Sequence, residues 1–145
     1  MNIKIREICK NDYDKIFSLM NNELGYLNVD YNGLSKRLDL MKAQDNYHIF
    51  CAFSDNNLVG FIGTIQEIAF ELENDYLRVI GIAVSKSLQC NGIGTLLLNY
   101  VENFAKSNGF SLVALNSGLQ RFDAHKFYEK NGFLKKSFGY TKTIL

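Results

Sequence analysis

The chain has no proline and no tryptophan, and it has only two histidines and three cysteines in 145 residues. Without proline, its turns must rest on glycine, asparagine and aspartate. Cys9, Cys51 and Cys90 are scattered and form no CxxC pair, which favours a reducing, cytoplasmic setting. His48 and His125 lie far apart with no cysteine or carboxylate cluster nearby, so we expect no metal site.

Long hydrophobic runs and an excess of either charge are also missing. The formal net charge is +1, which argues against nucleic acid or an anionic membrane as a partner. No apolar stretch approaches the ~18 residues that a membrane span needs, and residues 1–6 alternate apolar with charged residues, unlike a secretory signal. With 47% hydrophobic and 21% charged residues, the composition is typical of one globular domain covering residues 1–145.

Hydrophobic periodicity predicts an α/β protein without repeats or linkers. Asn11 or Asp12 is expected to cap the first helix, Asn108-Gly109 is expected to end a later helix through a left-handed cap, and Asn131-Gly132 is expected to close the last one. The order β-α-α-β-β-β-α-β-α-β-β follows. The strands are expected at residues 3–8, 47–53, 58–68, 76–84, 112–116, 133–138 and 140–145. Helices are expected after residue 12, around 31–41, from 93 through the apolar position 104, and over 121–130.

A glycine-bearing turn joins the strand ending at Val84 to the helix that begins near Ile93. Main-chain N–H groups of such a turn and of the first helical turn, together with the helix dipole, favour an anion such as a pyrophosphate. Gly92 and Gly94 would let the main chain approach the ligand closely. The alternative is a tight turn that merely begins a helix.

The turn resembles the Q/RxxGxG/A signature of the GCN5-related N-acetyltransferase (GNAT) superfamily, through Gln89, Gly92 and Gly94. The resemblance implies the GNAT fold: a central mixed, mostly antiparallel sheet of six to seven strands with helices on both faces. It also implies acetyl-CoA as cosubstrate, with its pyrophosphate on the turn. Ile82 and Val84 would pair with the pantetheine arm, and the Val84 N–H would lie near the thioester carbonyl.

A second segment resembles the other hallmark of this superfamily, A-x-x-F/L-Y-x-x-x-G-F. Its matches are Ala124, Phe127, Tyr128, Gly132 and Phe133. By resemblance, Tyr128 would donate a proton to the departing thiolate; the alternative is a core aromatic. The cofactor-binding residues that the resemblance implies are Ile82, Ala83, Val84, Gln89, Cys90, Asn91, Gly92, Ile93, Gly94, Thr95, Asn116, Arg121, Phe127 and Tyr128.

The general base is less clearly marked. Some superfamily members carry a glutamate on the strand before the turn, where this chain has Arg78. Glu67 is the candidate base, acting directly or through water. Glu71, Glu73 and Asp75, in the acidic segment that connects the third and fourth predicted strands, are alternatives.

The segment Gln120–Tyr128 resembles aminoalkylphosphonate and other small-amine N-acetyltransferases. The resemblance implies a primary amine of a small molecule as acceptor, with Arg78 or Arg37 holding an anionic head, and Tyr26 and Tyr31 near the pocket. Acetylation of protein lysine or N-termini, and a non-catalytic coenzyme A-binding module, stay open as alternatives, and so does a homodimer.

Overall fold

The computed structural model describes residues 2–145, which divide into two units, residues 2–114 and 115–145. That residues 1–145 form a single domain remains a prediction. The first unit contains most of the sheet and three helices, and the second contains the last helix. The elements, in chain order, are β1 (Ile3–Glu7), a 3-10 turn (Lys10–Asp12), α1 (Tyr13–Glu23), α2 (Tyr31–Lys42), β2 (Tyr47–Ser54), β3 (Asn57–Glu67), β4 (Tyr76–Val84), a second 3-10 turn (Lys86–Leu88), α3 (Ile93–Ser107), β5 (Val113–Leu115) and α4 (Phe122–Lys130).

The sheet has five strands in the order β1-β2-β3-β4-β5, and the first four are antiparallel neighbours. The segment at β5 runs parallel to β4. The Ser111 N–H donates to the Asp75 carbonyl and the Leu77 N–H donates to the Leu112 carbonyl, so residue numbers increase in the same direction along both segments. The mixed, mostly antiparallel sheet of the sequence prediction is therefore confirmed.

Helices cover both faces of this sheet, as predicted. Alternate residues of β2 point to opposite sides. Ile49 and Cys51 join the core cluster that α1 and α2 cover. Phe50, between them, packs its ring against Tyr100 and Phe104 of α3, with centroids 4.8 and 5.4 Å apart.

The predicted helix ends are also formed. Gly109 has φ +71°, its N–H donates to the Lys106 carbonyl, and the next N–H, of Phe110, reaches back to Ala105. This is a Schellman cap, in which glycine takes the left-handed conformation at no steric cost. The start of α1 differs from the prediction, because the Asp12 side chain makes no cap bond to the helix and instead accepts from the Cys9 N–H at 2.8 Å.

The two last strands of the prediction are wrong. Residues 133–145 contain neither helix nor strand, so the sheet of the described residues has five strands and not six or seven. Leu134, Phe138 and Tyr140 are largely exposed. An alternating pattern specifies which side chains share a face, but a strand forms only where another strand supplies hydrogen-bonding partners.

Candidate functional site

The end of β4 presents main-chain groups away from β3. The Ser85 N–H donates to the Val59 carbonyl at 2.7 Å, which makes that pair a hydrogen-bonded one in the antiparallel register. Because such pairs alternate, Val84 and Ile82, opposite Gly60 and Ile62, turn their N–H and C=O groups to the other side. These are the two residues for which the family resemblance implies pairing with the pantetheine arm.

A β-bulge interrupts β4 before this stretch. Gly63 pairs with Gly81 and Thr64 with Val79, so Ile80 has no opposite residue and its side chain is 46% exposed. A bulge increases the local twist and redirects the strand. No sequence signal marks its position, since Val79 and Ile80 read as an ordinary strand.

The turn after β4 has main-chain N–H groups with no protein acceptor. Within residues 2–145, no acceptor is found for the amides from Cys90 to Thr95, and the first bonded amide of α3 is that of Leu96, which donates to Gly92. Gly92 lies at the N-cap with φ +82°, and Cys90 also has a positive φ of 66°. Positive φ values at alternate positions before a fifteen-residue helix are typical of turns whose main-chain amides can receive an anion.

The side chains around this turn differ in what they can contribute. Ile93 is 1% exposed and Ala83 6%, so both belong to the core and can offer a ligand only main-chain groups. The Asn91 side chain turns back, donating to the Leu88 and Gln89 carbonyls. An anion at this turn would therefore meet mainly main-chain groups, with the half-buried Gly94 and Thr95 in the first helical turn.

Gln89 is held by two acceptors. Its Nε2 donates to the Val84 carbonyl at 3.1 Å and to Glu23 Oε2 at 3.2 Å. Glu23 is the last residue of α1 and lies 66 positions away in sequence. No signal in the sequence marks Glu23, because no local pattern links a residue at a helix end to a distant turn.

Glu67 lies in a polar cluster at the opposite end of β4. Its Oε1 accepts from Arg78 Nε at 2.9 Å and from the Tyr76 hydroxyl at 3.0 Å. The hydrogen bonds with Tyr76 and Glu67 raise the pKa of Arg78. Glu67 pairs with Tyr76 across the strands, eight positions before Val84, which corresponds to roughly 25 Å along the strand. The structure therefore does not bring Glu67 and Val84 together.

The alternative candidate bases, and the residues expected near the amine substrate, differ in exposure and in hydrogen bonding. Asp75 Oδ2 accepts from Gln66 Nε2 at 2.7 Å, while Glu71 and Glu73 are exposed. Arg37 is exposed on α2, near Gly33. Tyr31 contacts the Phe17 ring edge-on at 5.6 Å, and Tyr26 is 53% exposed.

In the second unit, the end of α4 explains the spacing of the second motif. Gly132 has φ +91° and its N–H donates to Glu129, while the Phe133 N–H donates to the Tyr128 carbonyl at 3.0 Å. The Phe133 ring packs on the Tyr128 ring at 5.9 Å. This is a Schellman cap with its hydrophobic contact, and it fixes Tyr128 in the last turn.

Tyr128 itself is buried, at 9% exposure, and its ring also contacts Phe127 at 5.4 Å. Burial raises the pKa of Tyr128, while the positive charge of Arg121 acts in the opposite direction. Among the residues that the structure describes, the hydroxyl makes no hydrogen bond. A protonated phenol with a free donor is suited to serve as a general acid.

The remaining predicted residues of this unit are near the surface. Arg121 precedes α4 and Asn116 follows β5, and both are exposed. An open cavity of about 330 Å³ is lined by residues 120–124. Over residues 2–145, no three His, Cys, Asp or Glu side chains are grouped to hold a metal ion, and no helix is long and apolar enough to cross a membrane.

The fold and the turn define an α/β protein in which a run of main-chain amides after the fourth strand has no acceptor within residues 2–145. The sequence profile of the Acetyltransferase (GNAT) family matches residues 13–133. The chain belongs to this family and is an acyltransferase of the acetyl-CoA-using class.

Two curated relatives have comparable lengths. Aminoalkylphosphonate N-acetyltransferase of Salmonella typhimurium is 25% identical over 141 residues, covering 97% of this chain and 91% of that protein. The uncharacterized N-acetyltransferase YhdJ of Bacillus subtilis is 26% identical over 117 residues, covering 80% and 82%.

Solved structures share the fold. A GNAT family acetyltransferase of Staphylococcus aureus has a TM-score of 0.82 at 26% identity, covering 99% of this chain and 100% of that one. AAC(6')-Iy in complex with the bisubstrate analogue CoA-S-monomethyl-acetylneamine has a TM-score of 0.83 at 16% identity, covering 99% and 100%. At that identity the likeness concerns the fold alone.

Proposed function

We propose that this chain moves the acetyl group of acetyl-CoA to the primary amine of a small molecule, by direct attack in a ternary complex. The observation that carries the proposal is the run of main-chain amides from Cys90 to Thr95 with no acceptor within the described residues, beside a strand end whose N–H and C=O groups face away from β3. Those amides fit a pyrophosphate, and the strand edge fits an amide-bearing arm.

Acetyl-CoA supplies an acetyl group activated as a thioester. An ammonium with a pKa near ~10 must lose a proton before it attacks, and the leaving thiolate, whose conjugate acid has a pKa near ~8.5, must gain one. The chain therefore has to orient the two substrates, stabilise an oxyanion and move protons.

The Val84 N–H is the proposed oxyanion donor, because it faces away from β3 and the following peptide group is held in place. The Ser85 N–H donates to Val59 on one side of that group, and Gln89 donates to the Val84 carbonyl on the other. A fixed donor needs no reorganisation when charge develops on the carbonyl oxygen.

Tyr128 is the proposed acid for the thiolate, on the strength of its unpaired hydroxyl and its burial, which raises its pKa and keeps it protonated. Glu67 is the proposed base. Because the register separates it from Val84, Glu67 can receive the amine proton only through a chain of water molecules.

The small-molecule acceptor is supported by the Salmonella relative, named for aminoalkylphosphonates, and by the neighbour whose bisubstrate analogue carries an acetylneamine part. The experiment measures thiol release from acetyl-CoA with aminoalkylphosphonates, polyamines, aminoglycosides and a lysine peptide. We expect one of the free amines to be the fastest acceptor. Preferred turnover of the peptide would assign a protein acceptor, and binding of acetyl-CoA without any turnover would leave a coenzyme A-binding module.

A further inference from the structure

The Gln89 side chain connects the turn between β4 and α3 (residues 85–92, here called the cofactor turn) to the end of α1. A side-chain amide has two N–H donors on one nitrogen, and here both have partners: the Val84 carbonyl and Glu23 Oε2. Both partners accept and neither donates, which fixes the orientation of the amide with its nitrogen toward the protein. The oxygen Oε1 is the polar atom that remains, and it cannot donate to a phosphate.

The Gln89 side chain is therefore not available to bind the cofactor phosphate, although its place in the turn suggests that role. A phosphate needs donors, and the donors of this side chain are occupied by protein oxygens. The anion is left to the main-chain amides from Cys90 to Thr95. The Gln89 side chain instead links three elements: the end of β4, the turn and the end of α1.

The contact with Val84 is the one that matters for the reaction. The peptide group between Val84 and Ser85 is fixed on one side by Val59 and on the other by Gln89. Without a carboxylate at position 23, the amide would have a single acceptor and could rotate or flip. The strand end and the first residue of the turn would then lose a common anchor.

We propose that Glu23 is a positioning residue for acetyl-CoA, acting through Gln89 on the Val84 carbonyl and the cofactor turn. The inference rests on the proposed function. Glu23 does not touch the ligand in this proposal; its carboxylate keeps the turn and the strand edge in the arrangement that receives it. A negative charge near an anion site is unfavourable by itself, so its effect must be separated from that of the hydrogen bond.

Two substitutions separate them. Glu23→Gln removes the charge and keeps an oxygen acceptor at the same reach, whereas Glu23→Ala removes both and retains a good helix former. The ratio of acetyl-CoA dissociation constants, alanine over glutamine, isolates the hydrogen bond. We expect Glu23→Ala to bind about three- to tenfold more weakly than Glu23→Gln, the scale of one hydrogen bond, with equal melting temperatures.

Calorimetric titration of purified protein with acetyl-CoA is the measurement. Glu7→Ala on β1, whose side chain makes no hydrogen bond or ion pair among the described residues, is the matched carboxylate deletion and should bind like wild type. Combining Glu23→Ala with Gln89→Ala should weaken binding no further than Gln89→Ala alone, because both changes remove one linkage.

Equal acetyl-CoA affinity of Glu23→Ala and Glu23→Gln, or losses of affinity that multiply in the double variant, would overturn the positioning role of Glu23. The proposed function would still stand in that case, provided that the wild-type protein binds acetyl-CoA. Failure of wild-type protein to bind acetyl-CoA would instead overturn the proposed function, and the inference with it.

Discussion

Tyr128 combines a packed aromatic ring with a hydroxyl group that we propose as the acid of the reaction. The ring is packed between Phe127 and Phe133, and the hydroxyl makes no hydrogen bond within the described part of the chain. The two parts can therefore be tested apart, because phenylalanine keeps the first and removes the second.

Tyr128→Phe is expected to lower kcat by ~10²-fold or more, the usual scale for loss of general acid catalysis. Acetyl-CoA affinity and melting temperature should stay at wild-type values, since no hydrogen bond is lost in the fold. Steady-state thiol release and calorimetry on the same preparation measure both. An unchanged kcat would show that solvent protonates the thiolate.

Glu67 raises a different question, because it already bonds Arg78 and Tyr76. Glu67→Gln should lower kcat/KM by about ten- to a hundredfold at neutral pH, and the loss should shrink as the pH approaches the pKa of the amine, which then needs no base. The pH profile of kcat/KM measures this. Tyr76→Phe, which removes a bond but keeps the carboxylate, serves as control; a loss independent of pH would indicate a structural ion pair.

At the scale of elements, the turn before α3 depends on glycine for two reasons. Gly92 has a positive φ, which glycine adopts without strain. Gly94 lies in the helix, and because it has no side chain it leaves space beside the amides that have no acceptor. Gly94 is thus the cleaner position at which to add a side chain.

Gly94→Val should weaken acetyl-CoA binding at least tenfold, about 1.4 kcal/mol, because the new side chain would stand between the main chain and the pyrophosphate. Asn103→Val, on an exposed position later in the same helix, controls for the effect of a β-branched residue in α3. Calorimetry gives both affinities. If folded Gly94→Val protein binds like Asn103→Val, the cofactor lies elsewhere.

The cap of α4 makes a prediction about stability. Gly132→Ala should lower the free energy of unfolding by about 1–2 kcal/mol, because alanine at φ +91° is forced into the left-handed region. An added Cβ meets no atom within 4 Å, so the cost is conformational and not a clash. Urea denaturation measures it, and Gly132→Asn should cost less because asparagine tolerates this region. Equal stability of all three proteins would mean that the cap does not hold.

At the scale of the molecule, Asp12 ties β1 to the start of α1. Asp12 is 5% exposed and forms a bidentate ion pair with Arg6, whose two terminal nitrogens donate to the two carboxylate oxygens at 2.8 and 3.0 Å. Burial raises the pKa of Asp12, but the hydrogen bonds from Arg6 and from the Cys9 main chain outweigh it and hold the pKa below its usual value. The ionised form is therefore favoured in the folded state.

A pKa lowered by folding stabilises the protein above the unfolded value of ~3.9, and this stabilisation is lost as the pH falls through the folded value. Asp12→Asn should cost about 1–2 kcal/mol at neutral pH, discounted because the Arg6 end is half exposed. The difference from wild type should shrink below pH ~4. Urea denaturation from pH 7 to 2.5 tests this against Asp45→Asn, an exposed aspartate without a bonded partner within the described residues; a constant difference would contradict the ion pair.

The sequence predicted what depends on neighbours along the chain. The helices, the glycine caps at residues 109 and 132 and the turn at Gly92 were all readable, because each signal lies within a few positions. What it missed are pairings across space: the Glu23–Gln89 contact, the bulge at Ile80 and the fate of residues 133–145. A periodic pattern does not say which partner a side chain or strand will find.

The cap that joins Tyr128, Gly132 and Phe133 has a consequence for how related chains are recognised. The spacing from the aromatic residue to the glycine and the second aromatic records how a helix is brought to an end, since Phe133 bonds the Tyr128 carbonyl and packs on its ring. The hydroxyl contributes nothing to that ending. A related chain with phenylalanine in place of Tyr128 would keep this helix ending, so the spacing of the motif indicates common ancestry and carries no information about the hydroxyl that we propose as the acid.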